Sequence, residues 1–201
     1  MLSPSKIVCV GRNYVDHAKE LGNEMPKEPL IFLKPPSSLI SDGQLIYLPA
    51  VSKQVEYEGE IGIVIGSRLS NASEADAAKA IKSVVAVNDV TCRDLQKSDS
   101  QWTRAKGFDT FCPVGTPVAP PRDLSTLTVV TRVNGKERQR GSASQMAFSI
   151  PMVLSYISKI MTLEPGDLVA TGTPAGVGTI APGDVVEIEV LGLSKVQNKV
   201  A

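Results

Sequence analysis

The sequence has 201 residues, of which 42% are hydrophobic and 21% charged, a composition typical of one globular domain with its own core. Its 21 Lys and Arg residues balance its 21 Asp and Glu residues, so the formal net charge is zero. A zero balance with scattered basic residues gives no electrostatic reason to expect a nucleic-acid or membrane partner.

Cysteine usage and the first residues bear on the cellular compartment. Cys9, Cys92 and Cys112 have no paired spacing, which favours a reducing compartment in which the thiols are buried and inert. No apolar run approaches the roughly 20 residues of a membrane helix. The first residues, MLSPSKIVCVGRNY, show no signal-peptide pattern and no transit segment, so we expect a cytoplasmic protein.

The first half of the chain predicts short strands, separated by polar segments. The segment RNYVDHAKELGNEMPKE, residues 12–28, is polar and holds at most one helical turn. A helix is predicted after Ser73, because Ser73-x-x-Asp76 resembles a capping box before an Ala-rich stretch. The predicted strands are 6–10, 31–33, 44–48, 55–66 and 83–87.

The second half adds a hairpin and one longer helix. Residues 93–116 are polar and predicted to be irregular, whereas Asn134-Gly135 after the strand 127–133 is a strong hairpin signal. A helix is predicted from Ser149-Ile150-Pro151 to about Met161, followed by strands at 168–171 and 185–190. Many short strands with two or three helices predict a β-rich α+β fold. The absence of strand–helix alternation argues against a doubly wound sheet.

The stretch VEYEGEIGIVIG, residues 55–66, places three acids on one face of a predicted strand whose other face is apolar. Glu58 and Glu60 would be about 6.6 Å apart, where two charges repel by about 0.6 kcal/mol in water and roughly 2.5 kcal/mol at a dielectric constant of 20. A solvated edge strand is the common explanation of such a face. Here Gly62 and Val64 follow on the same face, so the acids lie at the mouth of a buried element and need protonation, basic partners or a cation.

Asp89 follows an apolar run and could add a third carboxylate to this pair, although a lone acid at a strand end is more often a turn residue. Glu58, Glu60 and Asp89 would offer oxygen ligands only, which suits Mg²⁺ or Mn²⁺, with Ca²⁺ as a possible substitute. Zinc and copper are disfavoured, because the chain has one histidine and no cysteine cluster. Three protein ligands leave about three positions for water or a chelating substrate.

Seven motifs occur in a fixed order along the chain. They are G-R-N-Y-x-x-H (11–17), F-L-K-P (32–35), E-x-E-I-G (58–62), N-D-x-T-x-R-D-x-Q (88–96), W-T-x-A-K (102–106), F-S-I-P (148–151) and T-G-T-P-x-G-V-G (171–178). Together they resemble the fumarylacetoacetate hydrolase family, in particular its single-domain oxaloacetate decarboxylase and acylpyruvate hydrolase branch. The resemblance begins at about Lys6 and continues to the C-terminus.

The resemblance implies a mixed β-roll, a single catalytic domain over 1–201 and a homodimer. It implies cleavage of a C–C bond next to a 2-oxo acid, with Mg²⁺ or Mn²⁺ held by Glu58, Glu60 and Asp89. Cleavage leaves an enolate on the keto oxygen, which a metal and a nearby cation stabilise. The resemblance assigns that cation to Lys106, which by pattern alone could be a surface lysine over Trp102. The implied substrate-binding residues are Arg12, Arg93, Gln96, Gly172 and Thr173.

His17 is the only histidine, and a lone histidine is more often structural or exposed. Glu20 is three positions on, so both would share one face of a helical turn, where the carboxylate orients the ring and raises its basicity. Such a pair could take a proton from the water that attacks an acyl carbonyl. The resemblance makes this pair the hydrolytic dyad, on a mobile lid at about residues 12–28.

Several functions remain open at this point. Oxaloacetate decarboxylation needs no water, whereas acylpyruvate hydrolysis does, and an isomerase or hydratase of a hydroxy-dienedioate would share the metal site. A metal-binding β-domain without catalytic activity is the remaining alternative. The pair His17 and Glu20 favours the decarboxylase and hydrolase branch. A phosphate loop at 171–178 is disfavoured, because the segment lacks G-K-[ST].

Overall fold

The computed structural model describes residues 2–20, 22 and 24–201, and in these residues the chain forms short strands and a few helices. The helices are α1 (Val15–Glu20), α2 (Glu74–Lys79), α3 (Arg93–Ser98), α4 (Thr103–Lys106) and α5 (Ile150–Ile160), with 3-10 turns at Pro36–Ser38, Leu124–Thr126 and Ala143–Gln145. The strands are β1 (Ile7–Gly11), β2 (Leu30–Lys34), β3 (Leu39–Ile40), β4 (Leu45–Ile46), β5 (Val55–Tyr57), β6 (Gly59–Ile65), β7 (Ile81–Asn88), β8 (Thr91–Cys92), β9 (Cys112–Pro113), β10 (Thr128–Val133), β11 (Lys136–Ser142), β12 (Leu168–Ala170), β13 (Gly178–Thr179), β14 (Val185–Val190) and β15 (Ser194–Val200).

Two larger sheets carry the architecture of the described residues. One has the strand order β2-β1-β12-β6-β7 and the other β11-β10-β14-β15-β4, with a smaller sheet β13-β5-β8 and the pair β3-β9. The first sheet is mixed, because β1 runs parallel to β12 while β6 is antiparallel to both β12 and β7. This arrangement confirms the predicted β-rich α+β fold, with no doubly wound sheet.

Strand β6 lies inside the molecule, with all seven of its residues buried. Ile61 and Ile63 belong to a large apolar cluster, which also contains Val129 and Ile188 of the second sheet. Val64, on the opposite face, belongs to a smaller cluster. The two sheets approach closely at the start of β6, where a Cβ on Gly59 would lie 2.0 Å from Thr131 Oγ1. A buried strand of this kind leaves its neighbouring acids little access to bulk water.

The single strand predicted at 55–66 is wrong, because the chain forms β5 and β6 in two different sheets. The chain turns at Glu58, whose backbone N–H donates to Asn88 Oδ1 (3.1 Å) and whose carbonyl accepts from the Asp89 N–H (2.8 Å). These long-range bonds have no local sequence signal. The segment 93–116 is not wholly irregular either, since it contains α3, α4 and β9, which are too short to show periodicity.

Local signals predicted the turns and helix starts well. Asn134 and Gly135 have φ of 52° and 76°, and they join β10 to β11 in a tight hairpin. Ser73 caps α2 by accepting from the Asp76 N–H, and Ser149 caps α5 from the Met152 N–H. Among the described residues, no helix combines the length and apolar character needed to cross a membrane.

Candidate active site

The three acids predicted as metal ligands meet at one end of the β6 and β7 pair. Glu58 precedes β6, Glu60 lies within it, and Asp89 follows β7 directly. One carboxylate oxygen from each lies within 4.8 Å of the others. Their exposed fractions are 5%, 1% and 1%, so the solvated edge strand considered as the alternative does not exist here.

Buried cations hold two of the three acids. Lys106 Nζ lies 2.7 Å from Glu58 Oε2 and 2.6 Å from Asp89 Oδ2, bridging them. Arg93 Nη2 donates to Glu58 Oε1 (2.6 Å), and Lys34 Nζ donates to Asp89 Oδ1 (2.6 Å). Burial acts to raise the pKa of Glu58, but Lys106 and Arg93 outweigh it and hold this pKa below its ordinary value.

Glu60 is different, because no salt bridge to a cation is found for it among the described residues. Its Oε2 accepts a hydrogen bond from the Gly172 N–H (2.7 Å). Burial, followed by the charges of Asp89 and Glu58, raises the pKa of Glu60 well above its ordinary value. Glu60 is therefore the member of the cluster whose ionised form is least compensated.

The donor set fits a hard divalent ion. All three groups offer oxygen, lie close together and are buried, and a carboxylate oxygen that accepts one hydrogen bond keeps further lone pairs. Glu56 also belongs to this network, so among the described residues four acids face three cations, and ionisation of all four would leave one negative charge. A cation next to Glu60 would compensate that charge.

The carboxylate cluster opens on a cavity of about 240 Å³. Glu58, Glu60 and Lys106 form one part of its wall. Phe32 and Trp102 form an apolar part, with their rings edge to face and 5.3 Å apart. Lys106 is not a surface residue lying over Trp102, since it is 2% exposed and its Nζ lies 5.0 Å from the Phe32 ring centre.

The pair predicted as the hydrolytic dyad is assembled on α1. His17 Nδ1 lies 3.2 Å from Glu20 Oε2, and His17 is buried and lines the same cavity. The Glu20 carboxylate also accepts from the Gly176 N–H (3.0 and 3.2 Å), which ties α1 to the loop 171–178. Gly176 is required there, because its φ is 99° and a Cβ would lie 2.2 Å from the Arg138 carbonyl oxygen.

The predicted lid extends beyond the described part of the chain, because Leu21 and Asn23 lie outside it. Its movement stays a prediction.

Arg12 is half-buried on the cavity wall and has a φ of 57°. This backbone conformation costs a non-glycine residue energy and is concentrated at functional sites.

Four of the five residues predicted to bind substrate line the cavity, namely Arg12, Arg93, Gln96 and Thr173. The Thr173 hydroxyl donates to the Gly59 carbonyl (2.9 Å) and accepts from Gln139 Nε2 (2.8 Å), so it is engaged by the protein itself. The Gly172 N–H is directed to Glu60 and not to the cavity. The substrate-binding roles of these residues stay predictions.

Sequence reasoning assigned no role to two residues of this network. Lys34 is fully buried against Asp89 and the Val90 carbonyl, and Glu56 is buried against Arg93. The available signal for Lys34 was its place at the end of an apolar strand, where a lysine needs an acidic partner. Glu56 had the same pattern position as the other two acids of the E-x-E-x-E run.

The chain belongs to the fumarylacetoacetate hydrolase family, since residues 6–201 match the family described as "Fumarylacetoacetate (FAA) hydrolase C-terminal". The chain is 45% identical to the mitochondrial oxaloacetate tautomerase FAHD1 of Arabidopsis thaliana, over 96% of this chain and 89% of the relative. It is 45% identical to the mitochondrial oxaloacetate decarboxylase of Dictyostelium discoideum, over 94% and 89%. These matches confirm the resemblance stated above.

Two solved structures share the fold over the whole chain. The 5-carboxymethyl-2-hydroxymuconate delta-isomerase of Mycobacterium smegmatis has a TM-score of 0.92 and 44% identity, with 80% of its chain covered. The fumarylpyruvate hydrolase of Pseudomonas aeruginosa, solved with Mn²⁺ and pyruvate, has a TM-score of 0.92 and 28% identity, with 91% covered.

Substitution of the two neighbouring glutamates should change stability in opposite directions. Without divalent ions, Glu60→Gln should stabilise the protein, because it removes a buried carboxyl whose raised pKa makes ionisation unfavourable in the folded state. Glu58→Gln should destabilise it by about 3 kcal/mol, because Arg93 and Lys106 each lose a carboxylate partner. Chemical denaturation in EDTA measures both.

The gain from Glu60→Gln should grow with pH. The folded-state pKa of Glu60 is raised above the unfolded value, so its destabilising effect is absent below the ordinary glutamate range and develops as pH rises through it. A Glu60→Gln variant less stable than the parent at pH 8 would show that Glu60 is compensated in a way the geometry does not contain.

Mn²⁺ binding should depend on pH through the same group. A metal ligand must be ionised, so a Glu60 with a raised pKa has to release its proton on binding, and affinity should fall as pH is lowered. Calorimetric titration in buffers of different ionisation enthalpy counts the released protons. Glu60→Gln is the control, and its Mn²⁺ binding should release fewer protons than that of the parent, because the Glu60 carboxyl is absent. Proton-independent, equally tight binding by both proteins would exclude Glu60 as a ligand.

Proposed function

We propose that this chain is a divalent-metal-dependent enzyme that cleaves a C–C bond in small 2-oxo acids, by oxaloacetate decarboxylation, acylpyruvate hydrolysis or both. The observation that carries the proposal is the close grouping of Glu60, which has no salt bridge among the described residues, with Glu58 and Asp89 at a cavity lined by Lys106 and His17. The names of the relatives support it, because one acts as an oxaloacetate decarboxylase and another structure holds Mn²⁺ and pyruvate.

Glu58, Glu60 and Asp89 would hold the ion, Mg²⁺ or Mn²⁺, with Ca²⁺ as a substitute. When bound, the ion supplies Lewis-acid stabilisation of the negative charge that develops on the keto oxygen of the substrate. Lys34 and Arg93 each hold one oxygen of Asp89 and Glu58, and Lys106 holds the other oxygen of both, which orients the two carboxylates.

Lys106 supplies a second positive charge. Burial opposes its protonation, but Asp89 and Glu58 raise the pKa of Lys106 above the ordinary lysine value, so it is an ammonium at neutral pH. An ammonium in a cavity with apolar walls stabilises a developing enolate more strongly than it would in water. Arg12, Arg93 and Gln96 line the same cavity and would bind the carboxylate of the substrate, with Thr173 beside them.

The pair His17 and Glu20 would be needed for acylpyruvate hydrolysis but not for oxaloacetate decarboxylation. His17 would take a proton from water while Glu20 holds the Nδ1 side of its ring, and the resulting hydroxide would attack an acyl carbonyl. Loss of CO₂ from oxaloacetate needs no attacking water, so it does not need this pair.

The cytoplasmic location and the homodimer stay predictions.

A second candidate is isomerisation of a related acid. The neighbour named as a delta-isomerase and the relative named as an oxaloacetate tautomerase favour it, because proton movement next to a keto group also passes through an enolate, whose charge the same residues could stabilise. In that case the enolate regains a proton at carbon and no C–C bond is broken. An isomerase or hydratase of a hydroxy-dienedioate belongs to the same class.

Activity assays with and without metal test the proposal. Purified protein should convert oxaloacetate or acetylpyruvate in the presence of Mn²⁺, lose this activity in EDTA, and regain it when Mn²⁺ is restored, because the enolate charge then lacks its stabilising ion. Product analysis should find pyruvate. Turnover that is unchanged by EDTA would contradict the metal dependence, and interconversion of oxaloacetate tautomers without pyruvate would favour the second candidate.

Substitution of the histidine should separate the two reactions. His17→Ala should lower acylpyruvate hydrolysis by about 100-fold or more, the contribution of a general base, while oxaloacetate decarboxylation keeps most of its rate. Lys19→Ala, an exposed change on the same helix, is the control and should alter neither rate. Equal losses of both activities in His17→Ala would remove the role assigned to this residue.

A further inference from the structure

The guanidinium of Arg93 is anchored at three of its nitrogen atoms. Its Nε donates to Glu56 Oε2 (2.7 Å), its Nη2 to Glu58 Oε1 (2.6 Å) and its Nη1 to Gln96 Oε1. A guanidinium carries five N–H groups, so these bonds leave one on Nη1 and one on Nη2. Arg93 lines the cavity, and among the described residues no acceptor is found for these two N–H groups.

Glu56 is buried behind this arginine. It is 6% exposed on β5, and the cavity wall contains Arg93, Gln96 and Glu58 but not Glu56. Its second oxygen, Oε1, accepts from Gln54 Nε2 (2.6 Å), so both carboxylate oxygens are held. The same residue Gln54 accepts the Arg93 backbone N–H at its carbonyl (2.7 Å), which fixes the start of α3 against β5.

Two separate carboxylates on one guanidinium fix its orientation. A planar group bonded at Nε by Glu56 and at Nη2 by Glu58 cannot rotate about its long axis without breaking a charge-assisted bond. If Glu56 were absent, Glu58 would be the one carboxylate partner left among the described residues, and the guanidinium would be free to turn toward it. Glu58 would then take N–H groups that the protein otherwise leaves without an acceptor.

We propose that Glu56 is a positioning residue, which sets the orientation of Arg93 so that its two remaining N–H groups bind a carboxylate in the cavity. The inference rests on the proposed function for the identity of the ligand, a 2-oxo acid or a dicarboxylate of similar size. Glu56 itself touches no ligand and acts only through Arg93.

A double-mutant cycle tests this directly. Oxalate binding to Mn²⁺-saturated protein is measured by calorimetry for the parent, Glu56→Ala, Arg93→Ala and the double variant. Each single change should weaken binding by about tenfold to hundredfold, the value of one or two charge-assisted hydrogen bonds. The double variant should bind as Arg93→Ala does, because Glu56 has no route to the ligand without Arg93. Effects that multiply in the double variant would overturn the proposal.

Kinetics give a readout that lost stability alone would not produce. Glu56→Ala should raise KM for oxaloacetate with little change in kcat, since a carboxylate bound equally in ground and transition states changes KM only. Glu56→Gln, which keeps the volume and the hydrogen-bond acceptor, should lie between Glu56→Ala and the parent. Glu137→Ala, which breaks the exposed pair with Arg140 outside this cavity, is the matched control and should change neither value.

The outcomes separate the two proposals. Oxalate binding with the expected cycle but no turnover of any 2-oxo acid would sink the proposed function and support the role of Glu56. Turnover with normal oxalate binding in Glu56→Ala would sink the role of Glu56 and leave the proposed function standing. An Arg93→Ala protein that binds oxalate as the parent does would also overturn the inference, because Glu56 would then have nothing to position.

Discussion

Compensation of buried charge is the constraint on which this site depends. Three carboxylates are buried at the end of the β6 and β7 pair and a fourth, Glu56, on the neighbouring strand β5, where ionised groups without partners are costly. Lys34, Arg93 and Lys106 pair with three of the acids, whereas the one hydrogen bond found for the Glu60 side chain among the described residues comes from a backbone N–H. With all four carboxylates ionised, the network is one positive charge short, and that deficit lies at the residue where a cation would complete an oxygen-ligand set.

Backbone contacts hold the charged groups of this network in place. A corner at Glu58 places its side chain beside Asp89, and the close approach of the two sheets at Gly59 fixes the backbone between the two glutamates. Arg93 and Gln96 come from α3 and Lys106 from α4, two short helices that follow β7 in the chain and bring the two cations back to the acids. The histidine side of the cavity is built differently, because α1 is held to the loop 171–178 through Glu20 and Gly176. The carboxylate side of the cavity and the histidine side are therefore held in place by separate contacts.

Much of this could be predicted from the sequence, because the relevant signals are local or occur in ordered motifs. The alternation of acids before an apolar run indicated a buried carboxylate group, and Asn134-Gly135 predicted its hairpin. The motif order pointed to the family and to the acids Glu58, Glu60 and Asp89, which the structure brings together. The corner at Glu58 could not be predicted, since it arises from pairing with strands far along the chain.

The partners of the buried charges were also beyond prediction. Lys34 is 55 residues from Asp89, and Glu56 is 37 residues from Arg93, so neither pair has a local pattern. The same holds for the Gly172 N–H, which binds Glu60 across 112 residues. Each of these residues has an ordinary role when it is considered alone.

The most direct test of the account is the location of a metal ion. A crystal soaked with Mn²⁺ and oxalate, measured at the manganese absorption edge, should show one anomalous peak in contact with oxygens of Glu58, Glu60 and Asp89, with oxalate on its open side. A crystal that takes up oxalate but shows no peak at these three carboxylates, with Glu60 still bonded only to Gly172, would contradict the account.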